Sequence, residues 1–130
     1  MKTELWYLAL VTAFTGLLWV PYILDRTKVW GLMDTVGYPA NPKPQSEWAQ
    51  RLKKAHYNAV ENLVLFAALV LVANAAGISD AAIAGSAKVY FWARVLHAVA
   101  YTAGWPWVRT LAFTAGWLSC VCIAWQVLAH

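Results

Sequence analysis

The chain has 130 residues, of which 62% are hydrophobic and only 12% charged, where a soluble domain is roughly half apolar and about a quarter charged. So few charges cannot cover a water-facing surface, so an ordinary soluble domain is excluded, and the length suits one domain without a separate soluble module. The net charge of +4 is modest, no nucleic-acid partner is expected, and the placement of the basic residues matters more than their sum.

Leu5 to Leu24 is an apolar run of the roughly 20 residues needed to cross a hydrocarbon core. It exceeds the usual signal-peptide core of about 7–15 residues, and no small-residue cleavage site follows Pro21. It reads as a retained first span, with Pro21 near its end. A polar stretch from Asp25 to Tyr57 follows, whose middle carries Pro39, Pro42 and Pro44. This predicts an extended link, after which Ser46 is the candidate N-cap of a new helix. The second span is predicted over about residues 56–76, with a turn from Asn74 to Asp80. The third covers 82–103 and stops at Gly104-Trp105-Pro106, and the fourth covers 107–128. The fold class is therefore an all-α integral membrane protein, a bundle of four transmembrane helices. The short connections make the last three spans antiparallel neighbours. Nine Trp and six Tyr suit rings anchored at the two headgroup levels. Cys120 and Cys122 lie two apart on one helix and cannot pair along it.

Basic residues orient the bundle. Arg26, Lys28, Lys43, Arg51, Lys53 and Lys54 crowd the first loop, and Arg109 flanks the loop after span three on the same side. The opposite side has only Lys2 and Lys88. The first loop is expected in the cytoplasm, with both termini outside.

Ionisable residues inside a span cost at least about 2.5 kcal/mol on insertion scales and are functional suspects by default. Arg51, Lys54, Asn58 and Glu61 are spaced 3, 4 and 3 apart, on one helical face. Arg94, His97 and Tyr101 share a face of the third span in the same way. At about 1.5 Å per residue, Glu61 lies roughly 8 Å deep, and Tyr101, His97 and Arg94 roughly 3, 9 and 14 Å below the same surface. The stripes meet at one level, and Arg109 caps it. Four cations around one carboxylate, Glu61, describe a pocket for an anionic ligand bearing one amine. Two plainer readings compete. In one, Arg94 and Glu61 form a buried ion pair that holds a structural oligomer together; in the other, a non-enzymatic membrane protein uses the pocket for an anionic lipid or another anion.

The segment Arg51-Leu-Lys-Lys54-Ala-His-Tyr-Asn58-Ala-Val-Glu61 resembles the second-helix signature of the MAPEG superfamily, the membrane-associated proteins in eicosanoid and glutathione metabolism. Phe91-Trp-Ala-Arg94-Val-Leu-His97-Ala-Val-Ala-Tyr101, followed by Pro106 and Arg109-Thr110, is similar to the family's third helix and its exit. The layout agrees over the whole chain, most closely with the short prokaryotic members that resemble microsomal glutathione transferases. The resemblance implies a homotrimer, in a bacterial inner membrane, holding glutathione as co-substrate in a cytoplasm-facing cleft between subunits, with no metal. Arg51, Lys54, Asn58, Glu61, Arg94, His97 and Tyr101 would line that cleft, Glu61 meeting the γ-glutamyl amine. Arg109 would stabilise the thiolate, and Arg26 and His56 would reach in from the neighbouring subunit. The implied reaction conjugates glutathione to hydrophobic electrophiles arriving from the lipid, with reduction of lipid hydroperoxides as a companion activity. Lys54 stands where many members have arginine, His97 where some have tyrosine, and Thr110 where some have serine.

Overall fold

The computed structural model describes every residue from Met1 to His130. It is all-helical: α1 Thr3–Leu17, α2 Trp19–Trp30, α3 Leu32–Val36, α4 Glu47–Ala75, α5 Ala81–Ala103 and α6 Pro106–Leu128.

α1 and α2 are one helical run, Thr3–Trp30, interrupted at Leu18. Pro21 has no N–H to give the Leu17 carbonyl, and its ring crowds that carbonyl; at the break the Leu18 N–H donates to the Thr15 carbonyl, three residues back rather than four, at 3.3 Å. The helix does not end at Leu24 as its apolar run predicts. It continues to Gly31, whose φ of 82° stops it, because Tyr22 and Asp25, three apart, are both buried on one side of α2. The extended link is where the prolines put it, between α3 and Ser46. α4 then starts at Glu47, well before the apolar run at His56, so its first turns project beyond that run. Ser46 occupies the N-cap position without capping the helix through its side chain. Its hydroxyl donates instead to Asp25 Oδ1 at 2.6 Å.

The two later turns follow their sequence signals. Gly77 and Gly104 take φ of 72° and 79°, Asp80 Oδ1 accepts from the Ile83 N–H at 2.8 Å, and Pro106 opens α6, where a missing N–H costs nothing. Both cysteines are free.

α5 packs against α1, α4 and α6. A middle layer of Val11, Phe66, Val70, Tyr90, Phe91 and Ile123 draws on all four of these helices, and Phe66 stacks on Tyr90 at 3.9 Å. A second layer of Leu18, Tyr22, Leu52 and Ala98 sits nearer the α3 end. Meanwhile Leu24, Val64, Leu65, Trp117, Leu118 and Trp125 point outward, a surface suited to hydrocarbon rather than water. By length and apolarity, three segments qualify as membrane spans: Thr3–Trp30, Glu47–Ala75 and Pro106–Leu128. The expected third span, α5, has the length at 23 residues but not the apolarity. Lys88, Arg94, His97 and Tyr101 dilute it, and Arg94 and His97 are turned inward against the other helices.

Candidate functional site

Arg94 is the centre of the polar interior. Only 2% exposed, it lies on α5 against the backbone of α6 at Gly116, where a methyl group would sit 3.6 Å from Arg94 Cδ. Its Nη2 donates to Asn58 Oδ1 on α4 at 2.6 Å and reaches His97 Nδ1, one turn along α5, at 3.4 Å. Both partners are neutral acceptors, since a guanidinium can only donate. Arg94 Nε and the buried Tyr90 hydroxyl have no partner at all. No carboxylate comes near: the one ion pair in the chain is Arg51–Glu47, at 3.9 Å. The Arg94–Glu61 pair that a structural reading requires is not formed, and Glu61 is exposed.

The reason lies in helix geometry. At 3.6 residues per turn, each residue advances about 100°. Arg51 and Asn58 therefore fall within about 20° of each other, as do Lys54 and Glu61, with about 60° between the pairs. Arg51 and Asn58 face α5, and Lys54 and Glu61 turn to the outer edge of α4, both exposed. The four cations thus do not surround Glu61 within one chain.

Arg51 bridges to the end of α5, where its Nε donates to the Thr102 carbonyl at 2.9 Å and its guanidinium lies beside Gly104. Arg109, from the first turn of α6, stacks its guanidinium 4.9 Å from the Tyr101 ring. Arg51, Tyr101 and Arg109 line one cavity of about 140 Å3 at the α5–α6 turn. His97 joins it to Arg94, its ring edge-on to Tyr101 at 5.6 Å. The structure therefore gathers Arg51, Asn58, Arg94, His97, Tyr101 and Arg109 along the α4–α5–α6 seam. The Thr110 hydroxyl is spent inside its own helix, on the Pro106 carbonyl at 2.9 Å.

Arg26 and His56 lie elsewhere. His56 Nδ1 meets the buried Tyr22 hydroxyl of its own chain at 2.7 Å. Arg26 stacks over Trp30, 5.0 Å from the ring, and its Nε donates to Gln45 Oε1 at 3.4 Å; it shares a groove with Lys54. Sequence reasoning missed three supports here. Tyr22 is one, and Asp25 and Gln45 are the others: the Asp25 carboxylate accepts from the Ser46 N–H and hydroxyl and from Gln45 Nε2. Gln45 also donates to the Tyr22 carbonyl at 2.8 Å. The only signal for them was the Tyr22–Asp25 spacing, which marks a helical face but names no partner.

The family model for the MAPEG family matches residues 4–129, and the chain belongs to that family. It is an integral membrane protein of a family whose members serve glutathione and eicosanoid metabolism and include glutathione transferases. No curated protein and no solved structure matches it.

Proposed function

We propose that this member of the MAPEG family is a glutathione-dependent membrane enzyme that joins the thiol to hydrophobic electrophiles. The observation that carries the reading is Arg94. A buried charge without a counter-ion is strongly unfavourable, and Arg94 is met only by an amide oxygen and an imidazole. An anionic ligand entering beside it supplies the missing charge. Glutathione offers two carboxylates for Arg94 and Arg51, an amine for Glu61, and a thiol.

The thiol would sit at Arg109. A free thiol has a pKa near 8.5 and is mostly protonated at neutral pH; an adjacent guanidinium favours the thiolate, which is the nucleophile. The thiolate sulfur attacks the electrophilic carbon, and a C–S bond forms as the electron pair leaves with the displaced group. In hydroperoxide reduction it attacks a peroxide oxygen, and the O–O bond breaks to release the alcohol. A second glutathione thiol then displaces water from the resulting sulfenic acid to leave the disulfide. Four spans, with α5 as the third, would carry this site at the cytoplasmic level, termini outside, and the outward apolar surface would deliver the second substrate from lipid. A neighbouring subunit of a homotrimer would complete the cleft at the exposed edge of α4 that carries Lys54 and Glu61.

The test is ultraviolet thiolate absorbance during glutathione titration of detergent-purified protein, alongside Arg109→Ala. A saturable signal in the native chain that disappears in the variant, with glutathione still bound, is the expected result. Absence of binding at millimolar glutathione sinks the proposal.

A further inference from the structure

An apolar groove of about 510 Å3 runs between α5 and α6. Ala93, Ala112 and Ala115 form its floor, and Trp92, Leu96 and Leu111 its walls. Side-chain size makes the relief: Ala93 and Ala112 are buried where the helices touch, while the three bulky residues stay exposed on either side. The groove lies away from the thiol site. At about 100° per residue, Val89, Trp92 and Leu96 point about 140° away from Arg94, His97 and Tyr101 on the same helix, and no residue of the site lines it. α4 and α5 share the middle of the bundle, and α1 and α6 each pack against both. The groove therefore opens on the α5 side, across the bundle from the α4 edge that carries Lys54 and Glu61. Subunits meeting at that edge would leave it outermost, against lipid.

One charged side chain lines the groove, Lys88, and it selects the occupant. Lys88 is exposed, about 10 Å along α5 from Ala81, a depth at which a charge is costly unless its stem lifts it to the headgroups. Helical side chains lean toward the helix N-terminus. For α5 that is the end where Lys2 meets Asn74 and Ser79 meets Glu4, so the ammonium rises toward the surface that carries both termini. No carboxylate waits there. Glu4 is buried against the Ser79 hydroxyl, and Asp80, about 12 Å up the helix, caps the Ile83 N–H. A second copy at the same depth would bring the same two acids and leave Lys88 unpaired. A soluble anion would satisfy Lys88 and leave the apolar floor bare. An anionic lipid satisfies both. We infer that the α5–α6 groove binds an anionic phospholipid, its phosphate on Lys88 and one acyl chain along the Ala93–Ala112–Ala115 floor.

The experiment reconstitutes the full-length chain in phosphatidylcholine vesicles containing phosphatidylglycerol with a photoreactive diazirine on its acyl chain, and maps the adducts by mass spectrometry. Adducts are expected on Trp92, Leu96 and Leu111, in excess of those from an equally labelled phosphatidylcholine. Lys88→Gln lowers them about fivefold, the loss expected for one lysine near the surface, and Lys88→Arg keeps them. Ala115→Phe fills the floor and removes them with Lys88 in place. Lys88→Gln leaves helical content by circular dichroism and glutathione binding unchanged, so failure here is distinguishable from failure of the thiol site. Adducts spread evenly over the outward faces, equal labelling by the two lipids, or labelling indifferent to Lys88→Gln each overturn the inference. An unlabelled groove overturns it too, and a cross-link across it to a neighbouring copy would assign it to the oligomer.

Discussion

The Arg94 seam and the α5–α6 groove each hold a cation without a counter-ion, and they use it in opposite ways. At the seam one guanidinium is buried and each of its contacts is a single hydrogen bond to a neutral group, Asn58 or His97. In the groove Lys88 stands exposed on a flexible stem beside an apolar floor. Low dielectric makes the first site strong and intolerant of change, whereas water and salt make the second weak. The seam therefore suits recognition of one small anion in one pose, and the groove suits a headgroup free to take several.

The largest effect separating them falls on Asn58. Asn58→Leu removes the 2.6 Å acceptor and leaves Arg94 Nη2 with only the longer His97 contact. A hydrogen bond to a charged group contributes about 2 kcal/mol, so the apparent unfolding temperature in detergent should drop clearly. Replacement of Lys88 should leave it unmoved. A smaller effect sharpens the contrast through ionic strength. Raising salt from about 0.1 to 1 M shortens the screening length from about 10 to 3 Å. The phosphatidylglycerol preference of the groove should largely vanish, while glutathione affinity, read by calorimetry, changes by less than about threefold. Equal salt sensitivity at both sites would erase the distinction.

The sequence made the helices legible because apolar runs of the required length are hard to mistake, and Gly77, Gly104 and Pro106 punctuate them. It placed the start of the α4 helix correctly at Ser46 and ended the first helix too early, for a physical reason. Residues 25–30 carry charges that read as loop, yet helix is retained there by partners far along the chain: Asp25 with Ser46, and Tyr22 with His56. Spacing within one segment cannot reveal a partner in another. The site shows the same boundary. That the two polar stripes meet was readable from their common depth, but the counted depths paired Glu61 with His97 rather than Asn58 with Arg94. The stripe of α4 was also treated as a line when it is about 80° wide. That width sends Lys54 and Glu61 away from Arg51 and Asn58. α5 was read as a span from its length and flanks, but its polar residues leave it less apolar than the three segments that qualify by composition.

The central claim is that Arg94 is a buried charge held for a ligand, not for the fold. Arg94→Met tests it most directly, with glutathione binding by calorimetry and thermal unfolding measured on the same detergent-purified sample. Replacing a poorly compensated buried charge by an apolar side chain of similar length is commonly neutral or stabilising. The predicted result is therefore an unfolding temperature equal to or above that of the native chain, with glutathione binding lost by at least about a hundredfold, the range for a buried charged contact. A variant that unfolds more easily but still binds glutathione with native affinity would contradict the claim and make Arg94 a structural residue.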